Sequence, residues 1–197
     1  LADRGEICTD GAPCRFRSAE DSIKKGISVI YQELNLMPEL TVAENIFVST
    51  LPTRAGLLDT KTINTKAQEL IDSLHLSLRP TDMVGLLGVS QQQMVEIAKA
   101  ISRNAEIIIM DEPTGALDSK ASGALLRLLA DVNQEGQSIL MVTHSARAAS
   151  KAKRVLIIRD GEVFHQIYRG GESDEDFYKK IGHALAVSAS PAGREAV

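Results

Sequence analysis

The chain has 197 residues, 44% hydrophobic and 24% charged, with a net charge of -4, which suits one substantial domain with a core of its own. That balance provides no general basic field for nucleic acid or an anionic membrane. Aromatics at 4% with no Trp argue against a base-stacking platform, and no apolar run is long enough to cross a bilayer. There is no signal-peptide pattern, and with no initiator Met Leu1 is expected not to be the natural first residue.

In chain order, Glu6–Thr9 and Cys14–Phe16 read as two short strands around an Asp10-Gly11 turn. Cys8 and Cys14 fall in this region; two ligands cannot close a tetrahedral zinc site, so they read as incidental thiols. Ser18-Ala19-Glu20-Asp21 has the form of a capping box opening a short helix that Gly26 stops. Ile27–Tyr31 is a compact strand that delivers Gln32 and Glu33 at its end. Residues 34–105 are more polar and mostly helical. Thr41–Glu44 is a second capping box, and Pro52–Asp59 reads as a loop. Ile63, Ala67, Leu70, Ile71 and Leu74 share a helical face, and Arg79-Pro80 with Gly85 to Gly88 breaks that helix. The next helix is expected to start at Ser90, with Gln93 three residues on, burying Val95, Ile97, Ala98 and Ile101.

From residue 106 the pattern alternates strand and helix. Ile107–Met110 reads as a buried parallel strand running into Asp111 and Glu112. A helix is expected over 119–134, ended by Gly136, then a strand over Ser138–Thr143 running into His144. A short Ala-rich helix precedes the strand Arg154–Ile158, and Asp160-Gly161 turns the chain into its hairpin partner, Glu162–Tyr168. The acidic run Glu172–Asp176 reads as a solvated helix start, with Phe177, Ile181 and Leu185 on one face of that last helix. Residues 188–197 read as a disordered tail. There is no internal repeat.

Three parallel-type strands thus end in Gln32, Asp111-Glu112 and His144, and open α/β sheets bind ligands beyond the carboxyl ends of their strands. An Asp there can hold Mg²⁺, usually through water. A neighbouring Glu can deprotonate an attacking water, a His can touch a phosphoryl group, and a Gln can complete the metal or water shell. Such a set suits phosphoryl transfer to water, in which positioning and charge neutralisation dominate.

At this point the residues resemble the nucleotide-binding domain of ATP-binding cassette (ABC) transporters, over nearly the whole chain to about Leu185. Val29–Glu33 resembles the Q-loop and Leu87–Met94 the signature motif. Ile107–Glu112 is similar to Walker B, Ala116-Leu117-Asp118 to the D-loop, and His144 to the switch histidine. The resemblance implies a P-loop NTPase-like α/β core, a mostly parallel sheet flanked by helices, with an inserted helical subdomain. Residues 1–33 would be the N-terminal part of the core, 34–105 the helical subdomain, and 106–187 the rest of the core.

The same resemblance implies ATP and Mg²⁺ as cofactors and transport-coupled ATP hydrolysis as the activity. Asp111 and Gln32 would attend the metal, Glu112 would be the general base, and His144 would contact the γ-phosphate. Gly88, Val89, Ser90 and Gln91 would offer a helix N-terminus to a nucleotide held by a partner domain, and Asp118 would lie at the dimer seam. The partners would be a second ABC ATPase domain and transmembrane permease subunits, at the cytoplasmic face of the cell membrane, with no nucleic acid.

The two halves resemble different subfamilies. Residues 31–47 and 91–100 are similar to monosaccharide importers, while 114–120, 139–144 and 154–181 are more similar to exporters of antimicrobial peptides or lipoproteins. Two departures stand out. No Gly-x-x-x-x-Gly-Lys-Ser/Thr occurs in the 197 residues, so the chain is expected to start after the main phosphate-binding loop and to lack its N–H cradle and its Lys. Gly88 also stands where the family usually has Ser, with Ser90 two positions later as the expected cap. The alternative to an active ATPase subunit is a non-catalytic or incomplete module that only contacts transporter subunits.

Overall fold

The structure, a computed structural model, describes residues 5–9, 11–54 and 57–189. β1 (Cys8–Thr9) and β2 (Ala12–Pro13) form the expected N-terminal hairpin, but the return strand lies nearer the turn than 14–16. Thr9 pairs with Ala12 directly across the turn, and Pro13, which has no N–H, ends the ladder. A bond from Cys14 N–H to Ile7 O follows. Asp10 lies outside the described residues. Both cysteines are free, and Cys14 Sγ accepts from Lys25 Nζ at 3.1 Å.

α1 (Ala19–Lys24) is capped by Ser18 Oγ, which accepts from Asp21 N–H. The reciprocal half differs from a capping box, because the Asp21 carboxylate accepts from Arg17 N–H instead. Gly26 ends the turn at φ +76°, and β3 (Ile27–Ile30) follows, so Tyr31 falls outside the strand.

α2 (Val42–Ile46) has the full Thr41/Glu44 capping box. The stretch expected as a loop carries a small hairpin, β4 (Thr53–Arg54) with β5 (Leu57–Leu58). Asp59 then caps α3 (Thr60–Ser73), which buries Ile63, Ala67 and Ile71. α3 stops well before Arg79-Pro80. His75 takes φ +53°, and bonds from His75 N–H to Asp72 O and from Leu76 N–H to Ile71 O close a Schellman ending. α4 (Val89–Ser102) begins one residue earlier than expected, with Gly88 at the N-cap.

β6 (Ile107–Asp111), α5 (Ser119–Gln134) and β7 (Ser138–Val142) then build the parallel layer. The sheet order is β3-β6-β7, with Ile30 beside Met110 and Met110 beside Met141. One face, through Ile30, Ile108 and Met110, is buried in the main core with residues of α2 to α5. On the sheet's other side Val29, Leu140 and Val142 are 40%, 54% and 55% exposed, so among the described residues this parallel sheet is not covered on both faces as such sheets usually are.

α6 (Ala146–Ala149) leads to β8 (Arg154–Arg159), β9 (Glu162–Tyr168) and α7 (Asp174–Ala189). β8 and β9 pair only with each other among the described residues. They turn through Asp160 and Gly161, both at positive φ, as a two-residue hairpin requires. Ile157 and Ile167 pack with Phe177 and Ile181 of α7 in a second, smaller core. Leu185, expected on the same face, is 39% exposed, and Ala184 packs against that core instead. α7 reaches Ala189, so residues 188 and 189 are helical; the rest of the expected tail lies outside the described residues.

Candidate functional site

The parallel register brings the carboxyl ends of three strands out on one side of the sheet. Gln32 lies two residues beyond β3, Asp111 is the last residue of β6, and His144 lies two residues beyond β7. Because Asp111 pairs with Val142, the next residue of β6's chain comes level with Thr143 and His144. That residue is Glu112, and its N–H donates to Val142 O at 2.9 Å.

Glu112 is the best-engaged group on this side. One carboxylate oxygen, Oε1, accepts from His144 N–H at 2.7 Å and meets His144 Nδ1 at 2.7 Å. The other, Oε2, accepts from Thr143 Oγ1 at 3.2 Å. A carboxylate acceptor assigns the proton to Nδ1, which leaves Nε2 as the free ring nitrogen. The Glu112 side chain is only 17% exposed, whereas that of His144 is 82% exposed. Glu112 also sits at φ +44°, a left-handed conformation that costs a residue with a Cβ about 1–2 kcal/mol. Strain of this kind persists where the surroundings over-determine it, often at functional sites.

The remaining residues singled out in the sequence are not drawn into this contact. Asp111 and Gln32 are exposed, and no hydrogen bond or ion pair engages either side chain among the described residues. No group of three or more His, Cys, Asp or Glu that could hold a metal occurs among the described residues. Asp118 caps α5, its Oδ1 accepting from Ala121 N–H at 2.8 Å. Asp118, expected at a dimer seam, thus also serves as a helix cap within its own chain.

At the start of α4, Gln91 Oε1 accepts from Gly88 N–H at 3.3 Å. This is half of a capping box, since glycine has no side chain to complete it. Ser90 lies inside the first turn and is not the cap, because the chain is already helical from Val89. Among the described residues no hydrogen bond joins residues 88–91 to the strand ends. A hollow of about 550 Å³ lined by Gln68, Asp72, Arg79 and Thr81 holds none of these residues.

Two side chains were missed in the sequence. Thr143 bridges the strand ends, donating to Glu112 while accepting from Ser145 N–H at 3.0 Å. Asn45 pins the chain after Gln32 by accepting from Met37 N–H and donating to Met37 O, Leu40 O and Thr41 O. Thr143's place directly before His144 was a usable signal; Asn45 carries none in a single sequence.

Comparison with known proteins adds the family context. A family model described as ABC transporter matches residues 1–115. The chain is 44% identical over 162 residues to the putative ribose/galactose/methyl galactoside import ATP-binding protein 3 of Burkholderia cenocepacia, covering 82% of the chain and 32% of that protein. It is 38% identical over 184 residues to the ribose import ATP-binding protein RbsA 1 of Rubrobacter xylanophilus, covering 93% and 37%. The chain therefore spans about a third of the length of these curated relatives. Among solved structures, a dimeric post-hydrolysis state of the ATP-binding cassette MJ0796 bound to ADP and Pi matches with a TM-score of 0.70 at 29% identity, over 86% of this chain and 75% of the other. A nucleotide-free cassette from an ABC transporter shares the fold with a TM-score of 0.75 at 18% identity.

Proposed function

The chain belongs to the ABC transporter family, and from that premise we propose that it is part of the ATP-binding and ATP-hydrolysing subunit of such a transporter. The observation that carries this reading is the Glu112–His144 pair at the shared end of β6 and β7. In the proposed reaction Glu112 accepts the proton of a water that attacks the γ-phosphate while the β–γ bridging P–O bond breaks and ADP leaves. Thr143 and the His144 N–H hold its carboxylate in one orientation. His144, held through Nδ1, offers Nε2 to a phosphate oxygen, and donating there requires that Nε2 carry a proton.

Asp111 has an exposed carboxylate that no other group engages among the described residues, which fits a water-mediated role at Mg²⁺, with Gln32 completing the metal or water shell. When bound, the ion would neutralise phosphate charge. Gly88, Val89, Ser90 and Gln91 would face nucleotide held by a second such domain, with Asp118 near that seam. The domain division follows the same reading: residues 1–33 and 106–187 as nucleotide core, 34–105 as helical subdomain. Permease subunits would dock at the cytoplasmic face of a membrane; no helix among the described residues is long and apolar enough to cross one. Sugar import is the favoured direction, because the 184-residue alignment to a ribose importer spans both halves of the chain.

A second reading rests on one observation, the lack of Gly-x-x-x-x-Gly-Lys-Ser/Thr in the 197 residues. Without that cradle these residues alone should bind Mg-ATP weakly and hydrolyse it negligibly. ATP-titrated thermal melts and a phosphate-release assay test this, and turnover by this chain that vanishes on Glu112→Gln would refute it. In a longer protein that supplies the phosphate loop, Glu112→Gln should abolish hydrolysis while sparing ATP binding. Equal loss of both would remove Glu112 as the base.

A further inference from the structure

One face of α4 carries an uncommon buried polar strip. Gln93, Glu96 and Lys99 recur every three residues, and they are only 7%, 7% and 9% exposed. Lys99 Nζ donates to the main-chain carbonyl of Asn35 at 2.8 Å and lies 3.4 Å from Glu96 Oε1. Gln93 Oε1, one turn earlier, is buried without a hydrogen-bond partner. A buried ion pair is a poor source of stability, since apolar residues of similar size often serve as well or better. The helix would bury this face at lower desolvation cost with Met or Leu, so stability alone does not account for the strip.

What the pair achieves is positional. Glu96 holds the ammonium, and the ammonium holds Asn35, 64 residues away in sequence. Ile30 is fixed in the sheet through its pairing with Met110, and Asn35 is fixed to α4. Only residues 31–34 lie between, and Gln32 is among them. Beyond Asn35, Asn45 secures Met37, Leu40 and Thr41 independently. α4 is also the helix whose N-cap and first turn hold residues 88–91.

We infer that Lys99 is a positioning residue for Gln32: with Glu96 it ties the chain three residues beyond Gln32 to the helix that carries the 88–91 segment. The inference deepens the proposed nucleotide site and rests on that reading only for the role of Gln32. A shift of α4 relative to the sheet would be carried through Lys99 to the short joint that holds Gln32.

Backbone ¹⁵N relaxation of this chain, without nucleotide, tests the tie directly. In the unaltered chain residues 33–36 should show order parameters near the rigid-backbone value of about 0.85. The double change Glu96→Met with Lys99→Met removes the tie without stranding a charge. Its order parameters at 33–36 should fall below about 0.6, while α4, residues 37–41 and the melting temperature stay close to the original. Lys99→Arg, which retains a donor, should restore order at 33–36. Unchanged order at 33–36 in the double variant would overturn the inference. So would a double variant that fails to fold or loosens α4 and α2 equally, because the pair would then be structural. None of these outcomes depends on ATP hydrolysis, so failure here is distinguishable from failure of the ATPase reading.

Discussion

Glu112 joins two effects that substitution can separate. Glu112→Ala and Glu112→Gly both delete the carboxylate and with it the contacts to His144 N–H, His144 Nδ1 and Thr143 Oγ1. Hydrogen bonds to a charged group contribute about 1.5–3 kcal/mol. The His144 ring, 82% exposed, adds little to that because solvent screens it. A loss of about 2 kcal/mol is therefore expected in Glu112→Ala. Glycine differs from alanine at this position in the backbone alone. At φ +44° it avoids the roughly 1–2 kcal/mol left-handed penalty and gives back about 0.5–1 kcal/mol in greater unfolded-chain freedom. Glu112→Gly should thus be the milder change by about 0.5–1 kcal/mol. Urea titrations followed by far-UV circular dichroism would give both values, with equal slopes needed for the comparison. If the glycine variant is as unstable as the alanine variant, or less stable, Glu112 is not strained in the folded chain.

Two further outcomes follow from other parts of the chain. Gly88 has φ −66° and ψ 155°, and a Cβ there would meet only Gln91 Oε1 at 3.9 Å. Gly88→Ser should therefore complete the cap of α4 and raise stability by a few tenths of a kcal/mol; a lower melting temperature would contradict the geometry. Asp174 is held below the usual carboxylate range, first by its hydrogen bond from Lys151 and further by Arg169. Its contribution is present above the unfolded-state value near 3.8 and is lost as pH falls through the lowered folded value. Asp174→Asn should flatten the acid limb of stability below about pH 4 and leave the slope between pH 5 and 7 unchanged. An unaltered acid limb would show that Asp174 does not contribute to it.

The parts legible in the sequence share a local cause. Ser18, Thr41 and Asp160-Gly161 act through neighbours within four residues, and Ile107–Met110 announces a strand by composition, although only Ile108 and Met110 of it are buried. Accordingly their elements lie close to where the sequence puts them. Helix ends were harder to read where the chain uses a residue other than glycine. His75 takes the left-handed position that glycine usually fills, so α3 ends without a visible signal. Ser90 offered a standard cap residue, yet Gln91 folds back onto the Gly88 N–H and draws the first turn one residue earlier. At the site, alternation and strand ends pointed to Glu112 and His144. Their direct contact, the role of Thr143 and the Lys99–Asn35 tie depend on register between segments 31 to 64 residues apart, which a single sequence does not encode in any local pattern.

β7 and β8 follow one another in the chain but do not pair, and each leaves one edge unsatisfied among the described residues. The side chains near these edges are apolar and exposed, with Leu140 and Val142 on β7 and Leu156 and Ile158, 40% and 66% exposed, on β8. Open edges flanked by apolar surface are templates for strand addition from another molecule. Handling of this chain in solution should therefore be governed by concentration: sedimentation at rising loading should show growing self-association, and charged substitutions such as Val142→Lys should suppress it.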